Sequence, residues 1–96
     1  MSAVQQAQRE IGACLSREAA ARQALRTAEG EIERRLQRAR SGGDADVEAF
    51  AIWLKEGRQT VATAEAACTA AEAETAQARA ALRLARAGER KRRRSD

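Results

Sequence analysis

The sequence predicts an all-α protein in which two long helices form an antiparallel coiled-coil hairpin. The composition favours helix, because 25 of the 96 residues are alanine and the chain has no proline. One Phe, one Trp and no Tyr are too few large side chains to fill a layered globular core. A strict seven-residue apolar repeat, interrupted at one place only, indicates two coiled-coil helices.

The first helix is predicted over about residues 3–40, and Ser2 is a candidate for its N-terminal cap. Gly12 and Gly30 weaken a helix, and we expect close contact between the helices to explain them. Positions a of the heptad repeat carry mostly large residues, and positions d carry mostly small ones. The a positions are Val4, Ile11, Glu18, Leu25, Ile32 and Ala39, and the d positions are Ala7, Cys14, Ala21, Ala28 and Arg35.

A loop is predicted over residues 41–46, the only clear break in the repeat. Gly42 or Gly43 is expected to end the first helix in a left-handed conformation. Asp44 or Asp46 is expected to cap the second helix, where a negative charge suits the helix dipole. Since the loop is short, the two helices must run antiparallel.

The second helix is predicted over about residues 47–88, followed by a basic tail over 89–96 that frays because like charges repel. The whole chain, 1–96, is predicted to be a single hairpin. The second helix repeats the alternation of larger and small residues after its first heptad. Its a positions are Val47, Leu54, Val61, Cys68, Thr75 and Leu82, and its d positions are Phe50, Gly57, Ala64, Ala71, Ala78 and Ala85.

Two helix registers fill space along this seam. In the first, facing residues have numbers that add to about 89, so that Leu25 meets Ala64. In the second they add to about 82, so that Cys14 meets Cys68. We favour the first, because its layers set a large residue against a small one, and the second stays open.

The residue types present argue against an enzyme. The chain has no histidine, and its two cysteines cannot form a zinc site with four ligands. No phosphate-binding glycine motif is present, so we expect no metal and no cofactor. Without a signal-peptide pattern or a membrane-spanning stretch, we predict a cytoplasmic protein with no membrane insertion. Cys14 and Cys68 are then expected to be reduced and to act as small buried apolar residues.

Positive charge is concentrated near the C-terminus. Residues 79–94 contain eight basic residues and only Glu89 as an acidic one, a local charge of +7 in a chain of net charge +4. We interpret the end of this segment as a solvated terminus or as a docking patch for an acidic protein surface. Nucleic acid and an anionic membrane face are alternatives, although no aromatic side chain is interleaved for base stacking. The basic docking patch comprises Arg86, Arg90, Lys91, Arg92, Arg93 and Arg94.

Both aromatic residues lie at the start of the second helix, in a segment that we call the aromatic cluster, residues 50–54. Phe50 and Leu54 fall at seam positions, whereas Ile52 points away from the seam. The cluster is either a hydrophobic plug that closes the hairpin or a partner-binding patch, since aromatic residues concentrate at interaction hot spots. Leu84 is a lone exposed apolar residue.

The run Asp46-Val47-Glu48-Ala49-Phe50-Ala51-Ile52-Trp53-Leu54-Lys55-Glu56-Gly57-Arg58, the Ala/Glu-rich heptads after it and the Arg-rich end resemble flagellar FliJ-like proteins. This family is related to the stalk proteins of type III secretion. The resemblance covers roughly residues 10–94. It implies an antiparallel coiled-coil hairpin that inserts into the ring of the export ATPase and touches the cytoplasmic domain of the export gate.

The resemblance also implies where the gate would bind. The family's patch lies at the start of the second helix with F-x-x-x-L spacing, which Phe50 and Leu54 match. Gly57 and Val61 follow on the same stripe. The candidate partner-binding residues are therefore Phe50, Ile52, Trp53, Leu54, Gly57 and Val61.

The sequence thus predicts a non-enzymatic stalk or chaperone of the flagellar (type III) export apparatus, peripheral to that apparatus at the inner membrane. Its expected partners are proteins, with no small-molecule substrate and with a homo-oligomer as an open alternative. A different reading is a small basic coiled-coil protein that associates with nucleic acid through Arg90–Arg94. A third is a structural dimerisation module.

Overall fold

The computed structural model describes residues 2–95 and contains two helices. Helix α1 spans Ala3–Ser41 (39 residues), and helix α2 spans Asp44–Ser95 (52 residues). The predicted all-α class and the two-helix hairpin are confirmed. Met1 and Asp96, the ends of the predicted single unit, lie outside the described residues.

Helix α1 begins with a reciprocal cap, which confirms the role predicted for Ser2. The Gln5 backbone N–H donates to Ser2 Oγ at 3.1 Å, and the Ser2 N–H donates to Gln5 Oε1 at 3.1 Å. Two N–H groups that lack helical partners are thereby satisfied.

The turn is shorter than predicted, because only Gly42 and Gly43 lie between the two helices. Asp46, inside the first turn of α2, accepts a hydrogen bond from the Gly43 N–H at 3.2 Å. This cap extends the helix back to Asp44, three residues before its predicted start. The prediction of a left-handed glycine in this turn is wrong, since no glycine has a positive φ. A Cβ at position 42 would meet the Asp46 carboxylate, so a larger residue there would force the capping side chain to move.

Contacts group the chain into two compact units, each built from both helices. The loop unit is Ala20–Cys68, and the terminal unit is Met1–Ala19 with Thr69–Asp96. In the loop unit, the fully buried apolar side chains are all small, and the large residues at the seam are half-buried. The buried ones are Ala28, Ala39, Ala64 and Cys68.

The terminal unit is packed in the same way but with more polar groups. Glu18 and Thr75 are buried at a positions, and the Thr75 hydroxyl donates to the Ala71 carbonyl at 3.1 Å. Cys14 is 2% exposed, which agrees with the small buried role predicted for it. The other buried apolar residues are Ala7, Ala71 and Ala78.

Contacts between the helices select the first of the two registers. In the terminal unit, the Cys14 thiol donates to the Glu74 carbonyl at 3.8 Å, and Arg17 Nε donates to Glu74 Oε2 at 3.3 Å. In the loop unit, the Arg35 guanidinium lies over the Trp53 ring. These pairs have numbers that add to 88–91, as the register of about 89 requires. These contacts exclude the register of about 82, in which Cys14 would face Cys68.

The register also explains one failure of the repeat. Val47, predicted at the seam, is 52% exposed. Its opposite residue is Gly42, which has no side chain with which to cover it. The prediction that close contact between the helices explains Gly12 and Gly30 is also wrong. A Cβ at Gly12 would meet nothing within 4 Å, and one at Gly30 would meet only the flexible end of Arg34.

Candidate functional site

The aromatic cluster packs around the Trp53 indole. The Arg35 guanidinium carbon lies 4.1 Å from the centroid of the Trp53 ring, in cation–π geometry. The Phe50 and Trp53 centroids are 6.3 Å apart with the rings tilted by 38°. Such a pair adds to the energy of apolar burial. Helix α1 therefore covers Trp53, as expected of a plug that joins the two helices.

Gly57 makes room for this indole. It is buried one turn after Trp53, and a Cβ at position 57 would come within 2.6 Å of Trp53 Cη2. A contact that short requires the ring to move. The structure thus gives Gly57 a packing role beneath the indole, and its predicted contact with a partner stays a prediction.

Ion pairs on α1 hold Arg35 in place over the ring. Arg35 Nε donates to Glu31 Oε1 at 2.7 Å, and Arg34 Nη2 donates to Glu31 Oε2 at 2.8 Å. Hydrogen bonds from Arg35 first and Arg34 second lower the pKa of Glu31 below its usual value. Glu31 is therefore ionised at neutral pH and fixes the guanidinium that covers Trp53.

The remaining candidate partner-binding residues differ in how far their side chains are exposed. Ile52 is 75% exposed, which confirms that it points away from the seam. Phe50, Leu54 and Val61 are half-buried along the seam, where part of each side chain reaches the surface. Leu54 also borders a shallow groove. The other residues that line this groove are Ala51, Lys55, Arg58, Gln59 and Ala62.

The basic docking patch lies on a continuous helix, not on a frayed tail. Helix α2 runs through Ser95, about two and a half turns past the level of Ala3. The basic side chains of its last turn suit the negative end of the helix dipole, which explains why a run of like charges stays helical. Arg93 pairs with Glu89 at 3.6 Å. Four other arginines of the patch make no ion pair within the described residues: Arg86, Arg90, Arg92 and Arg94.

The patch also extends further than predicted. Arg79 and Arg83 precede it at spacings of four and three residues, which places them on the same helix face. With Arg86, Arg90 and Arg94 they form a stripe of five arginines, which we call the arginine stripe. The signal for this extension is the spacing of three and four residues, which is visible in the sequence itself.

Cys14 is surrounded by polar groups but is not activated. Its sulfur lies 3.5 Å from Glu10 Oε1, a second acceptor within reach of the thiol proton, and Arg17 Nη2 donates to the sulfur at 3.2 Å. Burial, followed by the hydrogen bond to Glu10, raises the pKa of the thiol. Since the thiolate is the reactive form, this cysteine is a poor nucleophile.

Two broader properties bear on the class of site. Within residues 2–95, neither helix has an apolar stretch long enough to cross a membrane. The same residues hold no group of three or more Cys, Asp or Glu side chains placed to bind a metal ion.

Comparisons of the chain with protein-family models, with curated proteins and with solved structures found no match.

Proposed function

We propose that this protein is a non-enzymatic coiled-coil stalk or chaperone of a flagellar (type III) protein export apparatus, working in the cytoplasm at the inner membrane. In this proposal it binds the export ATPase ring and the export gate. The observation that carries the proposal is the helical basic end of α2, where Arg86, Arg90, Arg92 and Arg94 make no ion pair within the described residues. The resemblance of the segment around Trp53 to FliJ-like proteins supports the same assignment.

The basic end suits insertion into an acidic ring lumen. Arg90 and Arg94 lie one turn apart on the same helix face and have no ion-pair partner within the described residues. A guanidinium can bind a carboxylate through two parallel hydrogen bonds. Because the segment is already helical, docking would cost little ordering of the backbone. The arginine stripe would therefore guide the helix into the ring and set its orientation.

Reversing charge at the basic end is expected to weaken binding to the ATPase ring. The double variant Arg90→Glu with Arg94→Glu should lose at least about tenfold in affinity, and the loss should shrink as salt screens the charges. Isothermal titration of the purified ring with the full chain measures this. Arg38→Glu with Arg40→Glu is the matched control, because these arginines also lie in the last turn of a helix. Equal losses in both variants would contradict docking through the end of α2.

The export gate is expected to contact the exposed part of the aromatic cluster. Ile52→Gln should weaken binding of the gate's cytoplasmic domain several-fold without loss of helicity, because Ile52 packs little within the chain. Leu84→Gln is the matched control, since Leu84 is also 75% exposed on α2. The measurement is binding of the purified domain, with circular dichroism of each variant. Identical affinities for the two variants would remove the cluster from the proposed interface.

Association with nucleic acid is the second candidate function, and the arginine stripe favours it. Five arginines on one helix face can follow a phosphate backbone. A fluorescent DNA duplex titrated at several salt concentrations would show a steep fall in affinity if they do. Capture of nucleic acid alone from a lysate, lost at modest salt, would overturn the export proposal. Capture of ATPase or gate components would support it.

A further inference from the structure

The loop unit leaves its large apolar residues uncovered on one side. Arg35 and Trp53 close the side of the seam formed by positions d and g. Ala24 lies on that side too, in a groove shared with Thr60 and Ala67. The a positions lean the opposite way, towards the e positions of both helices. The half-buried large residues on this second side form what we call the apolar face: Leu25, Ile32, Leu36, Leu54 and Val61.

We propose that a second copy of this chain covers the apolar face and produces a symmetric four-helix bundle. In this dimer the two apolar faces stack, and each helix runs antiparallel to its own copy. A two-fold axis passes at the level of Ala28 and Val61. The proposal goes beyond the export function, because it concerns an interface between identical chains.

Charges at the edge of the face support this arrangement on α1. Arg22 and Arg26 come first along the helix, and Glu29 and Glu33 follow. Their positions are e and b, which flank the apolar face. In an antiparallel pair of identical helices, the basic half of each meets the acidic half of the other. The midpoint of these four residues lies between positions 27 and 28.

At the b and e positions of α2, the charged residues of the loop unit run Glu48, Lys55, Arg58 and Glu65. Arg58 and Glu65 are the opposite charges beside the axis, and their midpoint lies between positions 61 and 62. In the observed register, Ala28 lies opposite Val61, so the two midpoints fall at the same level. One two-fold axis therefore pairs opposite charges on both helices at once, which an isologous dimer requires.

Size and net charge agree with a copy as the occupant. Residues 20–39 of α1 span about 28 Å, and two helices side by side are about 20 Å wide. The projected face is then about 560 Å², towards the small end of specific interfaces, since a standard one takes ~800 Å² of accessible surface from each partner. The loop unit holds eight basic and eight acidic residues. Its neutrality fits a partner of the same composition better than a strongly charged one.

Sedimentation equilibrium of the full chain tests the proposal, from about 1 µM to about 100 µM. We expect a dimer in this range. Leu36→Glu, placed at position e beside the seam, should give a monomer whose helicity is retained. Ile52→Glu adds the same charge to α2 outside the apolar face and should leave the dimer intact. A monomeric wild type, or a dimer that survives Leu36→Glu, would overturn the proposal.

A charge exchange tests the predicted orientation without touching the apolar residues. Arg58→Glu alone and Glu65→Arg alone should each weaken dimerisation, because each sets like charges opposite one another across the axis. The double variant exchanges both signs and should restore the wild-type dimer. No restoration in the double variant would overturn the antiparallel pairing of α2 with its copy.

Discussion

Replacing Ala64 with glutamate is expected to unfold the loop unit. Ala64 is 9% exposed and lies opposite Leu25 at the seam. A carboxylate at this position would be desolvated at a seam lined by apolar side chains, which costs about 3 kcal/mol or more. A two-helix hairpin whose fully buried apolar residues are alanine and cysteine has only a few kcal/mol of stability. We expect most of the helical signal in circular dichroism to be lost at 25 °C.

Ala66→Glu is the control for this prediction. Ala66 is two residues away on the same helix and is exposed. The substitution adds the same charge and the same helix propensity, so its effect should stay within about 0.5 kcal/mol. Urea titration of both variants gives the free energies of unfolding. Similar values for the two variants would mean that Ala64 does not lie in the seam.

The heptad repeat predicted the seam because packing between two helices depends mainly on periodicity. Among the described residues at positions a and d, Val47 alone is exposed. The seam does not bury it because the residue opposite is a glycine, which has no side chain to cover it. The alternation of large and small residues favoured the correct register, in which facing numbers add to about 89. The register of about 82 also fills the space between the helices, so the alternation alone did not exclude it. Contacts such as Arg17 with Glu74 were needed to decide, since they depend on the three-dimensional position of long side chains.

Other features could not be predicted because they arise from local competition. The turn shortened because the Asp46 carboxylate caps the helix from inside its first turn. The end of α2 stays helical because the helix dipole favours cations at that end, which outweighs the mutual repulsion from which fraying was predicted. The outward direction of Ile52 followed from the helical period, but the packing of Arg35 on Trp53 required the register.

Because Gly57 lies against Trp53, an alanine at position 57 is expected to destabilise the protein, whereas the same substitution stabilises an ordinary exposed helix position. In an exposed part of a helix, Gly→Ala stabilises by about 1 kcal/mol. At Gly57 the new Cβ would displace the indole, whose packing with Arg35 and Phe50 would be lost. We therefore expect Gly57→Ala to destabilise the wild type by about 1 kcal/mol, since the lost contacts outweigh the gain in propensity.

Without the Trp53 indole, Gly57→Ala should stabilise the protein, as it does at an ordinary helix position. Trp53→Ala is expected to cost about 2–3 kcal/mol because half of a large apolar surface loses its packing. In that background, Gly57→Ala should stabilise by about 1 kcal/mol, so the two positions are coupled by about 2 kcal/mol. Gly12→Ala, where a Cβ meets open space, should stabilise both backgrounds equally. If Gly57→Ala stabilised the wild type as Gly12→Ala does, the indole would not lie against Gly57, and Trp53 would be free to contact a partner.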